Sequence, residues 1–156
     1  MSASFKEIKV RIKSVNAEEQ TIVKEILDRL KNETPSIRPE ITVHKTKFTP
    51  EEVGLMITIG FAAQLSSELA IVFLRKLWNR LKEKNVRPEM EELDQVKNRA
   101  ENYIRGLGIL QFQIAKVQDE GPYVEFNFED SQKRSHILLI SKTDLSVLRY
   151  QKMGDN

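Results

Sequence analysis

The chain has 156 residues, of which 40% are hydrophobic and 31% are charged. This length suits one domain with one core, and the apolar fraction excludes a disordered chain. The absence of Cys excludes a disulfide framework and Cys-ligated metals, and two distant His residues argue against a His-rich metal centre. A net charge of +2 argues against a dedicated nucleic-acid binder. We therefore expect no cofactor, no metal and no specific nucleic acid.

The first third of the chain predicts a strand, a helix and a second strand. Apolar residues alternate with cations over Phe5–Lys13, which is typical of a strand with one wet face. Asn16 and Glu19 have the spacing of a capping box, and Ile41 and Val43 begin the second strand. The intervening helix has apolar residues at a spacing of 3.6 residues, namely Ile22, Val23, Ile26, Leu27 and Leu30.

A long helical run is predicted next. Thr49–Glu52 has the pattern of a helix N-terminus, with a capping Thr, a Pro in the first helical position and a Glu completing the box. The run continues to Lys84, and a straight helix of that length would span about 52 Å. A domain of this size has a radius of gyration of only about 15 Å. We expect the run to break, either at Gly60 or at Ser66–Ser67.

The two halves of this run differ in polarity. Val53–Ala63 carries no charge and is apolar nearly all round, which predicts burial on most sides. The second half has an apolar stripe beside a basic face. The basic face is either a solvated surface favoured by the helix dipole or a patch for acidic protein, phosphate or lipid headgroups. The candidate interaction residues of this half are Leu74, Leu77, Trp78, Leu81, Arg75, Lys76 and Arg80.

The last part of the chain predicts a third helix followed by an antiparallel meander. The helix extends over Pro88–Arg105, with Gly106 as the residue that ends it. From residue 109 the apolar period changes to two, with turns near residues 119–122 and 130–134.

The expected fold class is α+β, with a single mixed sheet and helices on one face. We expect one domain over 1–156, a helical insert at about 50–105 and a disordered tail at 152–156.

Catalytic motifs are missing from the sequence. It has no glycine-rich nucleotide loop, no serine-hydrolase elbow and no metalloprotease helix. We interpret His44 as an exposed strand residue and His136 as a sheet residue rather than a base. No catalytic, cofactor-binding or metal-binding residue is therefore assigned, and an enzyme with an unrecognised site is the third functional alternative.

Two other functions fit the apolar middle of the chain. The first is a non-catalytic protein–protein interaction module, because surplus apolar helical surface needs a protein partner or a second copy to cover it. The second is membrane association through Val53–Leu74 and the flanking basic residues Arg75 and Lys76. The segment has one charge, Glu68, and is long enough to span a bilayer. An acid inside that segment opposes insertion. We expect a cytoplasmic protein, since no secretory signal is visible at the N-terminus.

Parts of the sequence resemble the effector-associated constant component family of bacterial conflict and signalling systems. The residues that carry the resemblance are Pro50–Gly54, Ile57–Ala63, Leu74–Leu81 and Val124–Ile140. The resemblance implies a small non-enzymatic partner module, encoded together with NTPase or protease effectors. The helix at 88–105 and the segment at 144–153 depart from the family's pattern, and no catalytic residue is implied.

Overall fold

The described residues form two compact units. The structure is a computed structural model that describes residues 7–45, 53–61 and 67–153. One unit is formed by the described residues of 7–89 and the other by residues 90–153. The predicted α+β class is confirmed. The expected single mixed sheet is wrong, because each unit has its own sheet and both sheets are antiparallel.

The first unit is a three-stranded sheet with two helices. Its sheet has the order β1-β3-β2, and β3 is antiparallel to both neighbours. The predicted strand–helix–strand start is confirmed, and β1 and β2 are parallel to each other with β3 between them. The elements are β1 (Glu7–Val15), α1 (Ala17–Glu33), β2 (Ile37–Lys45), β3 (Val53–Phe61) and α2 (Ser67–Glu83).

Helix α1 begins where the capping box predicts. The backbone N–H of Glu19 donates to the Asn16 side chain at 2.8 Å, and the Asn16 N–H donates to the Glu19 carboxylate at 3.2 Å. These bonds satisfy two amides that the first helical turn leaves without partners. The predicted apolar stripe is also confirmed, since Val23, Ile26, Leu27 and Leu30 are buried.

The segment Val53–Phe61 is a strand, and its predicted helix is wrong. Leu55, Ile57 and Ile59 are buried, while the residues between them are partly exposed. This is the period of two that a strand requires, and isoleucines favour it because they are branched at Cβ. The segment looks apolar all round because its second face consists of Gly, Met and Thr. Gly60 lies within β3 and does not break a helix.

Helix α2 begins at Ser67, close to the second predicted break. Residues 46–52, which include the predicted Thr49–Glu52 cap, and residues 62–66 lie outside the described residues. A continuous membrane helix over Val53–Leu74 is not formed, because its first part is the strand β3. Within the described part of the chain, no helix has both the length and the apolar character needed to cross a bilayer.

The second unit is a helix followed by a meander. The predicted hairpins are confirmed, and the strand order β4-β5-β6-β7 follows the sequence. The helix begins later than the predicted Pro88, and the last strand includes Lys152 and Met153, which were expected in a disordered tail. The elements are α3 (Leu93–Gly106), β4 (Phe112–Asp119), β5 (Tyr123–Asp130), β6 (Ser135–Ser141) and β7 (Val147–Met153).

One face of the meander packs against α3. Val96, Ala100 and Ile104 lie one helical turn apart and are fully buried, together with alternate residues of β5 and β6. Phe126 and Phe128 are neighbours in this core, with their rings stacked at a centroid distance of 6.0 Å. The second unit therefore has a hydrophobic core of its own.

The strand assignment of 53–61 predicts opposite results at two adjacent positions. Ile57→Ala removes a fully buried side chain from the centre of the sheet, so it should lower the free energy of unfolding by about 2–5 kcal/mol. Thr58→Ala changes the partly exposed face and should cost less than about 1 kcal/mol. Urea unfolding of both variants measures the difference. Equal losses at the two positions would contradict a strand with one buried face.

Candidate functional site

The predicted interaction stripe of α2 is part of the core. Leu74 and Leu77 are each 1% exposed and Leu81 is fully buried. The chain therefore covers this stripe itself, and the expectation of surplus apolar helical surface there is wrong. The exposed apolar residues of α2 are Leu69 and Val72, which lie one turn apart on the opposite side of the helix.

The predicted cations of α2 do not form one free surface. The Arg80 guanidinium donates to both carboxylate oxygens of Glu33, at 2.7 and 2.9 Å, and the Lys76 ammonium lies 4.0 Å from the same carboxylate. The hydrogen bond from Arg80 lowers the pKa of Glu33 below its usual value. These contacts join the ends of two neighbouring helices. Arg75 is exposed and Trp78 is half-buried.

The predicted sheet residue His136 belongs to a buried polar cluster in the second unit. Its Nε2 lies 2.9 Å from Asp130 Oδ2 and its Nδ1 lies 2.8 Å from the Tyr150 hydroxyl. Asp130 also accepts the backbone N–H groups of Gln132 and Arg134, at 2.9 and 3.0 Å, and the Arg134 Nε at 3.2 Å. The cluster therefore ties the β5–β6 turn to the last strand.

The bonding of this cluster is structural in character. Because the carboxylate of Asp130 accepts, His136 Nε2 carries the proton that it donates. The bond from His136, followed by those from the turn amides, holds the pKa of Asp130 well below its usual range. Both ring nitrogens of His136 have hydrogen-bond partners within the chain. A buried imidazole needs such partners because it cannot bond to water. Among the described residues, no group of three or more His, Asp or Glu side chains has a metal-binding arrangement.

A different surface has the features of a binding site, namely the second face of the three-stranded sheet, which we call the open face. The buried face consists of directly paired apolar residues, such as Ile8 with Ile59 and Val10 with Ile57. The alternate residues therefore point to the other side. The open face carries Glu7, Lys9, Arg11 and Lys13 of β1, Gly54, Met56, Thr58 and Gly60 of β3, and Arg38, Glu40, Thr42 and His44 of β2.

Charge is distributed unevenly along the open face. At one end Glu7 and Lys9 approach to 3.8 Å, and Arg38 and Glu40 lie on the opposite strand. At the other end are Arg11, Lys13 and His44, all of them exposed. Among the described residues, neither Arg11 nor Lys13 forms an ion pair. That end of the face is therefore cationic.

A groove of about 460 Å³ lies at this cationic end. One wall ends at Glu89, whose backbone N–H donates to the Arg11 carbonyl at 2.6 Å, so the segment after α2 follows the outer edge of β1. Gly54 lies at the floor, beside a β-bulge of β1 between Ile12 and Val15. The groove is lined by Arg11, Ile12, Lys13, His44, Gly54, Leu55, Met56 and Glu89.

Sequence reasoning found the components of this groove and missed the groove itself. The alternating cations of β1 and the exposed position of His44 are predicted and confirmed. The predicted helix over Val53–Ala63 includes Gly54, and that prediction separates Gly54 from both neighbouring strands. The sequence signal that indicates a strand here is the alternation of Leu55, Ile57 and Ile59 within the apolar run.

Comparison of the chain with known protein families, with curated proteins and with solved structures gives no match. The resemblance to the effector-associated family therefore stays a prediction.

The burial of the α2 stripe predicts that Leu77 acts in folding. Leu77→Ala should lower the free energy of unfolding by about 2–5 kcal/mol, because it removes a buried side chain. Arg75→Ala, two residues earlier on the exposed side, should change it by less than about 0.5 kcal/mol. Chemical unfolding followed by the fluorescence of Trp78 measures both. A stable Leu77→Ala variant would show that this stripe is not part of the core.

The Asp130 cluster predicts a specific dependence of stability on pH. The pKa of Asp130 is lower in the folded chain than the value of about 3.9 in an unfolded chain, so the unfolded state binds more protons. The cluster therefore stabilises the fold above that unfolded value and loses its effect as the pH falls. Asp130→Asn should be less stable at pH 6, and its stability should fall less on acidification.

Urea unfolding at pH 6 and pH 3.5, followed by the NMR signals of β5 amides, measures this effect within the second unit. Glu92→Gln, which neutralises an exposed carboxylate in the same unit, is the matched control and should keep the wild-type dependence. Identical pH profiles for Asp130→Asn and the wild type would contradict the role assigned to the cluster.

Proposed function

We propose that this protein is a non-catalytic protein-interaction module and that it binds its partner through the open face of the three-stranded sheet. The observation that carries this proposal is the groove at the cationic end of that face. Its β1 cations are exposed and have no ion pair among the described residues. Within the part of the chain that the structure describes, a ligand therefore breaks no ion pair when it binds these cations.

The shape of the sheet supports the same function. On the open face, the residues of the two outer strands β1 and β2 are exposed. Those of the central strand β3 are partly exposed, and two of them are glycines. A partner backbone can approach a glycine-bearing strand closely, since no side chain stands in the way. The outer strand β2 has Pro39 and charged neighbours, a composition that opposes edge-to-edge pairing and leaves the face as the contact surface.

The resemblance to the effector-associated family supports a partner role of this kind. Members of that family act as small modules beside NTPase or protease effectors. An effector protein encoded next to this chain is therefore the partner class to test first, and a second copy of the chain is the alternative within the same function.

Reversing the charge of the groove should remove partner binding. The double variant Arg11→Glu/Lys13→Glu replaces both β1 cations, and Lys24→Glu/Lys31→Glu makes the same charge change on the exposed side of α1. Partners captured from the source cells with the wild type are identified by mass spectrometry, purified and measured against each variant by calorimetry. We expect affinity to fall at least about tenfold for the groove variant and to stay within about twofold for the control.

Light scattering of the three proteins tests self-association in the same way. Equal affinity of a purified partner for all three proteins would contradict the proposal. The absence of any partner together with a strict monomer would contradict it as well.

A further inference from the structure

The groove at the cationic end of the open face has a defined chemistry. Arg11 and Lys13 approach it from β1, and His44 approaches it from β2. Arginine and lysine present several N–H donors each, and a carboxylate or phosphate oxygen accepts them with charge-assisted bonds. The ligand chemistry that complements this wall is therefore anionic.

The floor of the groove is made by backbone. A Cβ built on Gly54 would lie 3.4 Å from the Lys13 carbonyl oxygen, 3.7 Å from that of Ile12 and 3.8 Å from that of His44. These are ordinary contact distances, so a side chain fits there and would occupy the space above the floor. Met56, the next residue of β3 on this face, adds the apolar part of the lining. A ligand at this place meets Arg11, Lys13 and His44 at the sides, Glu89 at the end of one wall and the apolar surface of Met56 below.

The size and charge of the groove favour a short ligand. The volume of about 460 Å³ lies in the range of sites that hold a few side chains or a small molecule. An anionic polymer that followed the sheet further would meet Glu40 and Glu7, which lie on the same face. The described part of this face has no Phe, Tyr or Trp on which bases would stack, so it lacks the platform typical of single-stranded nucleic-acid binding.

We infer that the occupant of this groove is an acidic peptide segment of a partner protein, with carboxylates beside Arg11 and Lys13 and an apolar side chain over Met56. This inference rests on the proposed function, since it names the ligand class of the same surface. An acidic segment supplies both chemistries at the spacing of neighbouring residues. Its carboxylates replace the water around two exposed cations, and its apolar side chain covers a partly exposed methionine.

A defined peptide tests this inference with the full chain. The probe has two glutamates on each side of a central leucine and blocked ends, and binding is followed by amide shifts in NMR spectra and by calorimetry. We expect the largest shifts at Arg11, His44 and Gly54, and a dissociation constant that rises with salt. Inorganic phosphate and an oligouridylate are measured under the same conditions as the two other anionic ligands.

Two groove variants act through different physical causes. Arg11→Gln/Lys13→Gln removes the charges without reversing them, and Gly54→Val fills the floor while the charges remain. Each should weaken binding of the acidic peptide at least about tenfold, whereas Lys24→Gln/Lys31→Gln on α1 should change it less than about twofold. Circular dichroism confirms folding, and if one groove variant does not fold, the other still decides.

The outcomes separate this inference from the proposed function. Peptide affinity that is unchanged in both groove variants, tighter binding of the oligouridylate, or binding of phosphate alone would overturn the acidic-peptide assignment. If the captured partner still depended on Arg11 and Lys13, the interaction surface would stand and only the ligand class would be wrong. If the peptide bound in the groove while partner capture did not depend on it, the proposed partner surface would fail and the ligand class would stand.

Discussion

The first unit depends on the position of β3 between two strands that are parallel to each other. Antiparallel pairing on both sides places Ile57 opposite Val10 and Ile41, so apolar residues of three strands share one face. Helix α1 contacts β1 and β2 with its buried stripe, and α2 packs beside α1 with a buried stripe of its own. The same register brings Gly54 between Lys13 and His44 on the other face. Hydrophobic burial on one side therefore sets the geometry of the groove on the other.

Helix α2 illustrates how one amphipathic pattern admits two interpretations. A stripe of leucines beside a row of cations fits a partner surface, and it fits equally well a helix that packs on its own sheet. The structure decides between them because Leu74, Leu77 and Leu81 are buried, while Arg80 and Lys76 meet Glu33 of α1. A cation that is already paired inside the fold offers less to a partner than one that is not. Within the described ranges Arg11 and Lys13 have no ion pair, and this difference favours them over Arg80 and Lys76.

In the second unit, a buried network of hydrogen bonds fixes a turn and the strands beside it. Asp130 closes the β5–β6 turn through two backbone N–H groups, and His136 and Tyr150 extend the same network along β6 and β7. A buried carboxylate without such partners would be strongly destabilising. With them it fixes the turn and the alignment of the strands at once. The two His residues of the chain thus have opposite environments, since His136 is enclosed and bonded while His44 is exposed beside the groove.

Features that depend on neighbouring residues can be predicted from the sequence alone. The Asn16–Glu19 capping box, the stripe of α1, and the alternation of β1 and β5 all follow from local spacing, and the structure confirms them. The α+β class follows from the same patterns. The choice between helix and strand for Val53–Phe61 depends on tertiary contacts, because an uninterrupted apolar run is compatible with either geometry until its neighbours are known. The groove depended on that decision, since its walls come from residues that are about 30 positions apart or more and meet only when β3 pairs with both strands.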